Sequence, residues 1–510
     1  MRKTLEVYKA STYVRLTGYK PELVKQILMP FCKRNFARVQ KVPGDLYGTH
    51  KWEITHVFAR CNNDKTELRF CSSMLPELIK LMTSSGYKES RISIQDEKVI
   101  KPKKIEHKLL NPSIKPRNEM QEEYCEFMTG PKSLTVNNAT TGFGKSFMAV
   151  YSAYVIGERI LITVLPRYID VWIKTFGEFY QVNPKDIVVA DIIGVTELHQ
   201  AIVNNVIDPK IIILPLTKID IYLKKLRDDE TLPGLDEVFS DLQCGVRIID
   251  EAHESIYSVY MSLMFGNHHK TFVLSATLKG DDEFINKIYN SIFPMEAYLR
   301  PPEYTKYIEV TAYFHQMDLM KYKIKTKGFG GYSHTAFEAG ILKREHVFES
   351  YYQMLKAAYE QFYIEGYREG QKSMWFFATI EFCERFNTRL LKDYPDLDSI
   401  VFNSTTSKKE PTAYREHRNV VTTPGSCGTG RDIPMLYAVF SPIAVSSTQR
   451  NDQMVGRTRP IDKWWPDLDP QFIYFVCQNE PKQVEYGRKR REIFDKKCKK
   501  FNIIDSGFKV

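Results

Sequence analysis

Asn138-Ala139-Thr140-Thr141-Gly142-Phe143-Gly144-Lys145-Ser146 is the stretch on which the reading of this chain turns. An apolar run, Leu134-Thr135-Val136, precedes it, and Phe147 to Ile156 follows with apolar residues on a helical period. Strand, glycine loop and helix in that order make a phosphate cradle. Glycines let backbone N–H groups approach phosphate oxygens, and the helix N-terminus adds the positive end of its dipole. In such a cradle Thr140, Thr141, Gly142, Phe143 and Gly144 supply the loop, Lys145 reaches the outer phosphates of ATP, and the Ser146 hydroxyl ligates magnesium. Ala139 stands where the strict G-x-x-x-x-G-K-[ST] pattern has its first glycine. The loop alone therefore leaves an ordinary strand-to-helix turn open as the alternative.

Its partners lie downstream. Val246-Arg247-Ile248-Ile249 runs straight into Asp250-Glu251-Ala252-His253, which places two carboxylates at the C-terminal end of a strand, beside the phosphate loop. Asp250 suits magnesium, in concert with Ser146, and Glu251 suits orienting and deprotonating an attacking water. The next apolar run, Thr271 to Leu274, ends in Ser275-Ala276-Thr277. Three motifs in this order, each closing its own strand, form a highly specific set.

The remaining composition bounds the class. The chain has 510 residues, 43% of them hydrophobic and 26% charged, as in soluble globular proteins. No apolar run approaches the roughly 18 residues that span a bilayer, and the N-terminus has no apolar core suited to secretion. Nine scattered cysteines without a C-x-x-C pair predict reduced thiols in a cytoplasmic setting, with neither zinc nor a disulfide framework. His268-His269 reads as a solvated loop, since no partner has metal-ligand spacing. Charge is unevenly spread: residues 1–110 hold 22 Lys and Arg against 11 Asp and Glu, while the whole chain is +10. The entire basic excess thus lies in the first fifth of the chain, which points to a polyanionic partner held there.

The order of predicted elements gives the layout. Residues 1–97 read as a basic α+β nucleic-acid-binding domain, with a hairpin turn at Asn62 to Lys65, and 98–116 as a lysine- and proline-containing linker. Residues 117–325 alternate buried strands and helices, 326–343 form a glycine hinge around Gly328-Phe329-Gly330-Gly331, and 344–510 repeat the alternation. The end of the chain, Tyr486 to Lys500, reads as a basic helix. The fold class is α/β, with two parallel-sheet lobes in tandem behind a small α+β domain.

From about 117 to 460 the chain resembles the superfamily 2 helicases of the DEAH-box type, ATP-driven nucleic-acid translocases with two RecA-like lobes. Their phosphate loop is A-x-x-G-x-G-K-[ST], which Ala139 fits. The resemblance implies further roles. Gln121 matches the adenine-reading glutamine. Arg167 in Val164-Leu165-Pro166-Arg167, where the family usually has threonine, Trp172 shortly after, and Thr217 in Leu214-Pro215-Leu216-Thr217 fall where nucleic-acid contacts are expected. His253, Ser275 and Thr277 resemble the residues that couple hydrolysis to lobe movement. In the second lobe, Met374 to Thr379 is similar to motif IV. Thr422 to Pro434 resembles motif V, with Thr423 at a strand contact, Gly430 at a coupling position and Asp432 at the nucleotide. Gln453-Met454-Val455-Gly456-Arg457 matches the start of Q-x-x-G-R-x-x-R, and the second arginine is Arg459, one residue earlier than the pattern has it. Gln453, Arg457 and Arg459 are thereby expected to complete an ATP site whose phosphates rest on the first lobe.

The layout is most similar to the UvsW-type phage helicases, and more distantly to XPB and RecG. That resemblance implies a monomer in a bacterial or phage-infected cytoplasm. It would remodel branched DNA through fork regression, junction migration or R-loop removal, in replication, recombination or repair. Single-stranded, duplex or branched DNA is the expected partner, with an RNA–DNA hybrid as a further substrate, ATP and magnesium as cofactors, and no membrane. An RNA helicase and an ATP-gated clamp that does not unwind are the alternatives. Removing residues 1–110 is expected to weaken branched-DNA binding and to leave basal ATP hydrolysis largely intact.

Overall fold

Uninterrupted apolar runs need cover on both faces, and the alternating strand–helix order supplies it. The computed structural model describes residues 5–510 apart from 44–49, 63, 140–141, 230, 276–277, 279–282, 300–305, 329–330, 411, 428–432 and 496–497. The chain divides into two units, Met1–Pro302 and Glu303–Val510.

The first unit begins with β1 (Leu5–Lys9), β2 (Tyr13–Thr17), β3 (Ala37–Pro43), β4 (His50–Val57), β5 (Arg60–Cys61), β6 (Leu68–Cys71) and β7 (Ile92–Asp96). Five of these form a mixed sheet in the order β5-β6-β2-β1-β7, and β3 and β4 pair separately as an antiparallel ribbon. The expected hairpin is shorter than its sequence suggests. β6 takes β5 as its partner across a turn in which Asn62 Oδ1 accepts from Thr66 and Glu67 N–H, both at 2.9 Å, while β4 pairs with β3.

The same unit continues with β8 (Leu134–Asn137), β9 (Ile160–Val164), β10 (Ile187–Val189), β11 (Ile211–Pro215), β12 (Val246–Asp250) and β13 (Lys270–Leu274). They form one sheet in the order β10-β11-β9-β12-β13-β8, with every pairing parallel. β9, β11 and β13 are buried at every position, as strands covered on both faces must be. One difference from the sequence reading concerns neighbours. β12 does not lie directly beside the phosphate-loop strand, because β13 is inserted between β12 and β8.

The N-terminal module and the lysine-rich segment after it also differ from expectation. The module shares one hydrophobic core with the sheet of its unit: Leu5, Val14 and Phe70 belong to the same cluster as Leu214, Val238 and Tyr260. Polar contacts pin the join. The Thr12 hydroxyl donates to Leu263 O at 2.8 Å, Arg69 donates to Met264 O at 3.1 Å and Asp236 at 3.2 Å, and Cys71 N–H donates to the Tyr260 hydroxyl at 3.1 Å. The physical reason is the helix Ile256–Leu263, whose residues Ser258 to Leu263 are all buried. A helix with no polar face needs cover on both sides, and the module supplies one of them. The segment 98–116 is no free linker. Its Lys103 N–H donates to Gln243 O and its Lys103 carbonyl accepts from Arg159 N–H, both at 2.9 Å, and Ile105 and Leu110 N–H donate to Gly157 O and Phe179 O. It is a strap across the sheet, fastened where Lys104 Nζ meets the buried Glu158 carboxylate at 2.7 Å. His269 Nδ1 donates to the same carboxylate at 2.9 Å. His268 is buried, bonded to Cys244 O at 2.8 Å, and pushed down to about 3 by burial; of the His-His pair only His269 is exposed to solvent.

The second unit carries β14 (Ile308–Gln316), β15 (Lys327–Gly328), β16 (Gly331–Tyr332), β17 (Lys372–Phe376), β18 (Ser399–Phe402), β19 (Asn419–Thr422), β20 (Leu436–Ser441), β21 (Gln471–Cys477) and β22 (Cys498–Lys509). Seven strands form a parallel sheet in the order β18-β19-β17-β20-β21-β14-β22. The fold class is thus that of tandem RecA-like lobes. The boundary between the lobes moves relative to the sequence. β14 pairs with β21 and β22, so residues 308–316 belong to the second lobe, and the division falls at Pro302–Glu303 rather than near 326. Within the expected hinge, Gly328 and Gly331 pair in the small β15–β16 hairpin, and Phe329 and Gly330 lie outside the described residues. The helix His334–Leu342 is packed through Phe337 and Ile341, while its Glu338 carboxylate accepts from Ala378 and Thr379 N–H at 2.7 and 2.8 Å. At the C-terminus the basic helix stops at Phe494, and the chain returns as β22 along the edge of β14.

Candidate functional site

All the parallel strands of the first lobe end at one rim. Thr163 of β9 is level with Leu214 of β11 and Ile249 of β12, so the loops that follow these strands are brought together. The phosphate loop leaves β8 and enters the helix Lys145–Ile156 through Gly144, whose φ of +90° is the left-handed conformation that glycine adopts without strain. A Cβ at Gly144 would also stand 2.7 Å from Gln121 Nε2. Lys145 is buried, and its Nζ donates to Ala139 O at 3.0 Å, which closes the loop on itself. Ser146 is half-buried in the first helical turn, where no acidic side chain offsets the positive dipole end. Thr140 and Thr141 lie outside the described residues.

Gln121 sits in the first turn of the helix Glu119–Thr129, and the Asn118 side chain caps that helix by accepting from Gln121 N–H. Its amide is engaged at both ends: Nε2 donates to Phe143 O at 2.8 Å, and Oε1 accepts from Arg117 N–H at 3.0 Å. Gln121 therefore braces the phosphate loop. Phe143 packs on Tyr124 with ring centroids 6.3 Å apart.

The Asp-Glu-Ala-His turn closes β12. Asp250 is half-buried, and both its oxygens are held: Oδ2 accepts from Trp172 Nε1 at 2.9 Å and Oδ1 from Glu251 N–H at 2.9 Å. Burial and the adjacent Glu251 carboxylate raise its affinity for a proton, against the Trp172 N–H and the Lys145 charge, which favour the anion. Glu251 has φ +46°, an uncommon conformation for a side chain of its length and a mark of local strain at the turn. His253 Nδ1 lies 3.2 Å from Glu251 Oε2 and 2.7 Å from the Ser275 hydroxyl. Glu251, His253 and Ser275 thus form a continuous polar chain from the end of β12 to the end of β13. Thr277 lies outside the described residues.

Two residues expected at nucleic acid have partners within the protein. Trp172 is 1% exposed, on the inner face of the helix Ile169–Phe179, and its indole faces Asp250 instead of the surface. The apolar period of that helix turns it inward: Ile169, Trp172 and Phe176 recur on one face. Arg167 is exposed but ion-paired with Glu254, whose other oxygen accepts from the Tyr168 hydroxyl at 2.8 Å. The segment 167–172 therefore holds both ends of the acidic turn. Its signal in the sequence was present, as an amphipathic helix starting next to an apolar strand, but the partner of each side chain was not. Thr217 is exposed at the start of the helix Leu216–Asp228, on the same rim.

In the second lobe, Thr423 follows β19 and its hydroxyl bonds the Ser426 hydroxyl at 3.1 Å. Gly430 and Asp432 lie outside the described residues. Gln453 is half-buried on the helix Thr448–Val455, Arg457 is buried just beyond its end, and Arg459 is half-buried.

Two lobes in tandem, each on a parallel sheet, the first with a phosphate loop, an Asp-Glu-Ala-His turn and Ser275 each at the end of its own strand, have the RecA-like α/β fold. Among solved structures the chain is similar to T4 UvsW, at 14% identity over 98% of this chain and 99% of that one, with a TM-score of 0.34. It is also similar to S. cerevisiae Dbp5 bound to RNA and ADP BeF3, at 12% identity over 76% of this chain and 89% of that one, with a TM-score of 0.47. No family model and no curated protein sequence matches it.

Proposed function

We propose that the chain is an ATP-dependent DNA translocase that unwinds or remodels branched DNA. The observation that carries the ATP half of this reading is the first-lobe rim. A self-closed glycine loop with a buried lysine stands beside a half-buried, doubly hydrogen-bonded aspartate and a Glu–His–Ser chain that leads to the next strand. These groups fit a magnesium nucleotide. Gly142, Gly144 and Lys145 would hold its phosphates, and Ser146 and Asp250 its metal, which supplies charge neutralisation at the phosphoryl group. Glu251 is the base for the attacking water, and His253 and Ser275 carry its state to β13. Gln453, Arg457 and Arg459 are proposed to act on the same phosphates, with Asp432 at the nucleotide and Gly430 and Thr277 in coupling. Thr217, Arg167 and Thr423 are the proposed backbone contacts. The DNA half rests on the basic excess of residues 1–110.

The test is ATP turnover and strand separation on single-stranded, duplex, forked, four-way-junction and RNA–DNA substrates. Turnover should rise most with forks or junctions. Equal turnover with and without nucleic acid would remove the translocase reading, and stimulation by RNA alone would reassign the substrate.

A sharper expectation concerns Trp172. Trp172→Phe keeps an aromatic side chain but removes the five-membered part of the indole together with the N–H that Asp250 accepts. Loss of a partner behind a metal ligand costs about 10–100-fold in metal affinity. The variant should remain folded and need correspondingly more magnesium to bind nucleotide. A magnesium titration that overlays the parent's would show that Asp250 holds its place without Trp172.

A further inference from the structure

The join between the N-terminal module and the first lobe contains a groove that no residue of the ATP site enters. It is a cavity of about 340 Å³ between β4–β5 and the helices Leu216–Asp228 and Ile256–Leu263, lined by Ile54, His56, Val57, Arg60, Arg227 and Tyr257 among others. A second cavity of similar volume shares Arg60 but is lined by Asp64, Glu67, Asp229 and Asp236 as well, so the cationic groove is bounded on that side by carboxylates. Three arginines meet here, and they are not equivalent. Arg69 is neutralised by Glu67 and Asp236. Neither Arg60 nor Arg227 has a carboxylate partner among the described residues. Burial first, and then the charges of Arg227 and Arg69, weaken the hold of Arg60 on its proton, with Glu67 acting in the opposite sense. An anion in the groove would relieve that repulsion.

The shape says which anion. The groove is built on the shared core that locks the module to the lobe, so its two walls keep their spacing. The Tyr257 ring is met edge-on by His56, with centroids 4.9 Å apart, and by Phe58 at 5.3 Å. Its environment suits packing rather than the stacking platform that splayed bases of a single strand require. The helix Leu216–Asp228 links this place to the rim. Thr217 lies in its first turn and Arg227 in its last, roughly 15 Å apart along the axis at 1.5 Å per residue. That distance corresponds to about four nucleotides of a duplex strand.

We propose that this groove seats the sugar–phosphate backbone of a duplex arm, with Arg60 and Arg227 as its phosphate contacts, so that module and lobe grip one continuous nucleic acid. The inference rests on the nucleic-acid reading above and assigns it a place. Contacts of this kind recognise charge and duplex shape without base sequence.

The test uses the full chain with Arg60→Ala and Arg227→Ala combined, and fluorescence anisotropy on a labelled DNA duplex across a salt series. Each phosphate contact contributes close to one unit to the logarithmic salt slope. The double variant should therefore bind more weakly, with a slope shallower by about 2, and the Arg60→Lys/Arg227→Lys chain should restore the slope. An unchanged slope in the alanine variant, or a lysine pair that restores nothing while its melting temperature matches the parent's, would overturn the assignment. So would loss of binding to a polyglutamate probe with duplex binding intact, which would assign the groove to an acidic protein. A parent chain that binds no duplex at any salt would instead defeat the underlying nucleic-acid reading.

Discussion

Lys145→Ala is expected to lower ATP turnover by about 100-fold or more, the usual cost of removing a preorganised charge from a phosphoryl-transfer site. The structure gives two reasons for an effect of that size. Lys145 is buried with its ammonium on Ala139 O, so its removal unties the loop as well as removing a cation. It also supplies the charge that favours the ionised form of Asp250, against burial and the neighbouring Glu251. Without it the aspartate is left facing a like charge in a poorly solvated site. Turnover measured at saturating nucleotide, with nucleic-acid affinity measured in parallel, separates loss of chemistry from loss of folding. A variant that keeps half the parent's turnover would mean that the loop is a strand-to-helix turn and nothing more.

Deleting residues 1–97 is expected to destabilise the first lobe outright. The helix Ile256–Leu263 would expose the face that Phe36, Phe58 and Phe70 now cover, and Arg69 would no longer cap Met264 O. Losing several kcal/mol from a unit of this size lowers its melting temperature by about 10 °C or more. The truncated chain should therefore melt early, aggregate and lose ATP hydrolysis together with nucleic-acid binding. This replaces the expectation from charge alone that basal hydrolysis survives the cut. A truncated chain that melts at the parent's temperature and hydrolyses ATP at the basal rate would show that the shared core is energetically idle.

The difference between these two predictions lies in what a sequence can carry. The phosphate loop, Asp250-Glu251-Ala252-His253 and Ser275 were legible because each motif sits at the end of an apolar run, and a buried parallel strand delivers its C-terminal residues to the rim. Trp172 was legible as an apolar position of a helix but not as the donor to Asp250, because its partner is 78 residues away. Arg167 falls at an expected nucleic-acid contact by its motif position and is ion-paired with Glu254 in the fold. β14 was legible as a strand, yet which sheet it joins depended on β21 and β22, at the far end of the chain.

The sequence by itself determined the elements and the chemical groups at the nucleotide site, since residue type and apolar period act within a few neighbours. Only the tertiary structure decided how those parts are shared. It welded the basic module and the strap into the first lobe, moved the lobe boundary to Pro302–Glu303, and turned Trp172 onto Asp250. Those outcomes follow from which apolar faces need covering and which buried polar groups need partners. Neither requirement is met within the segment that creates it.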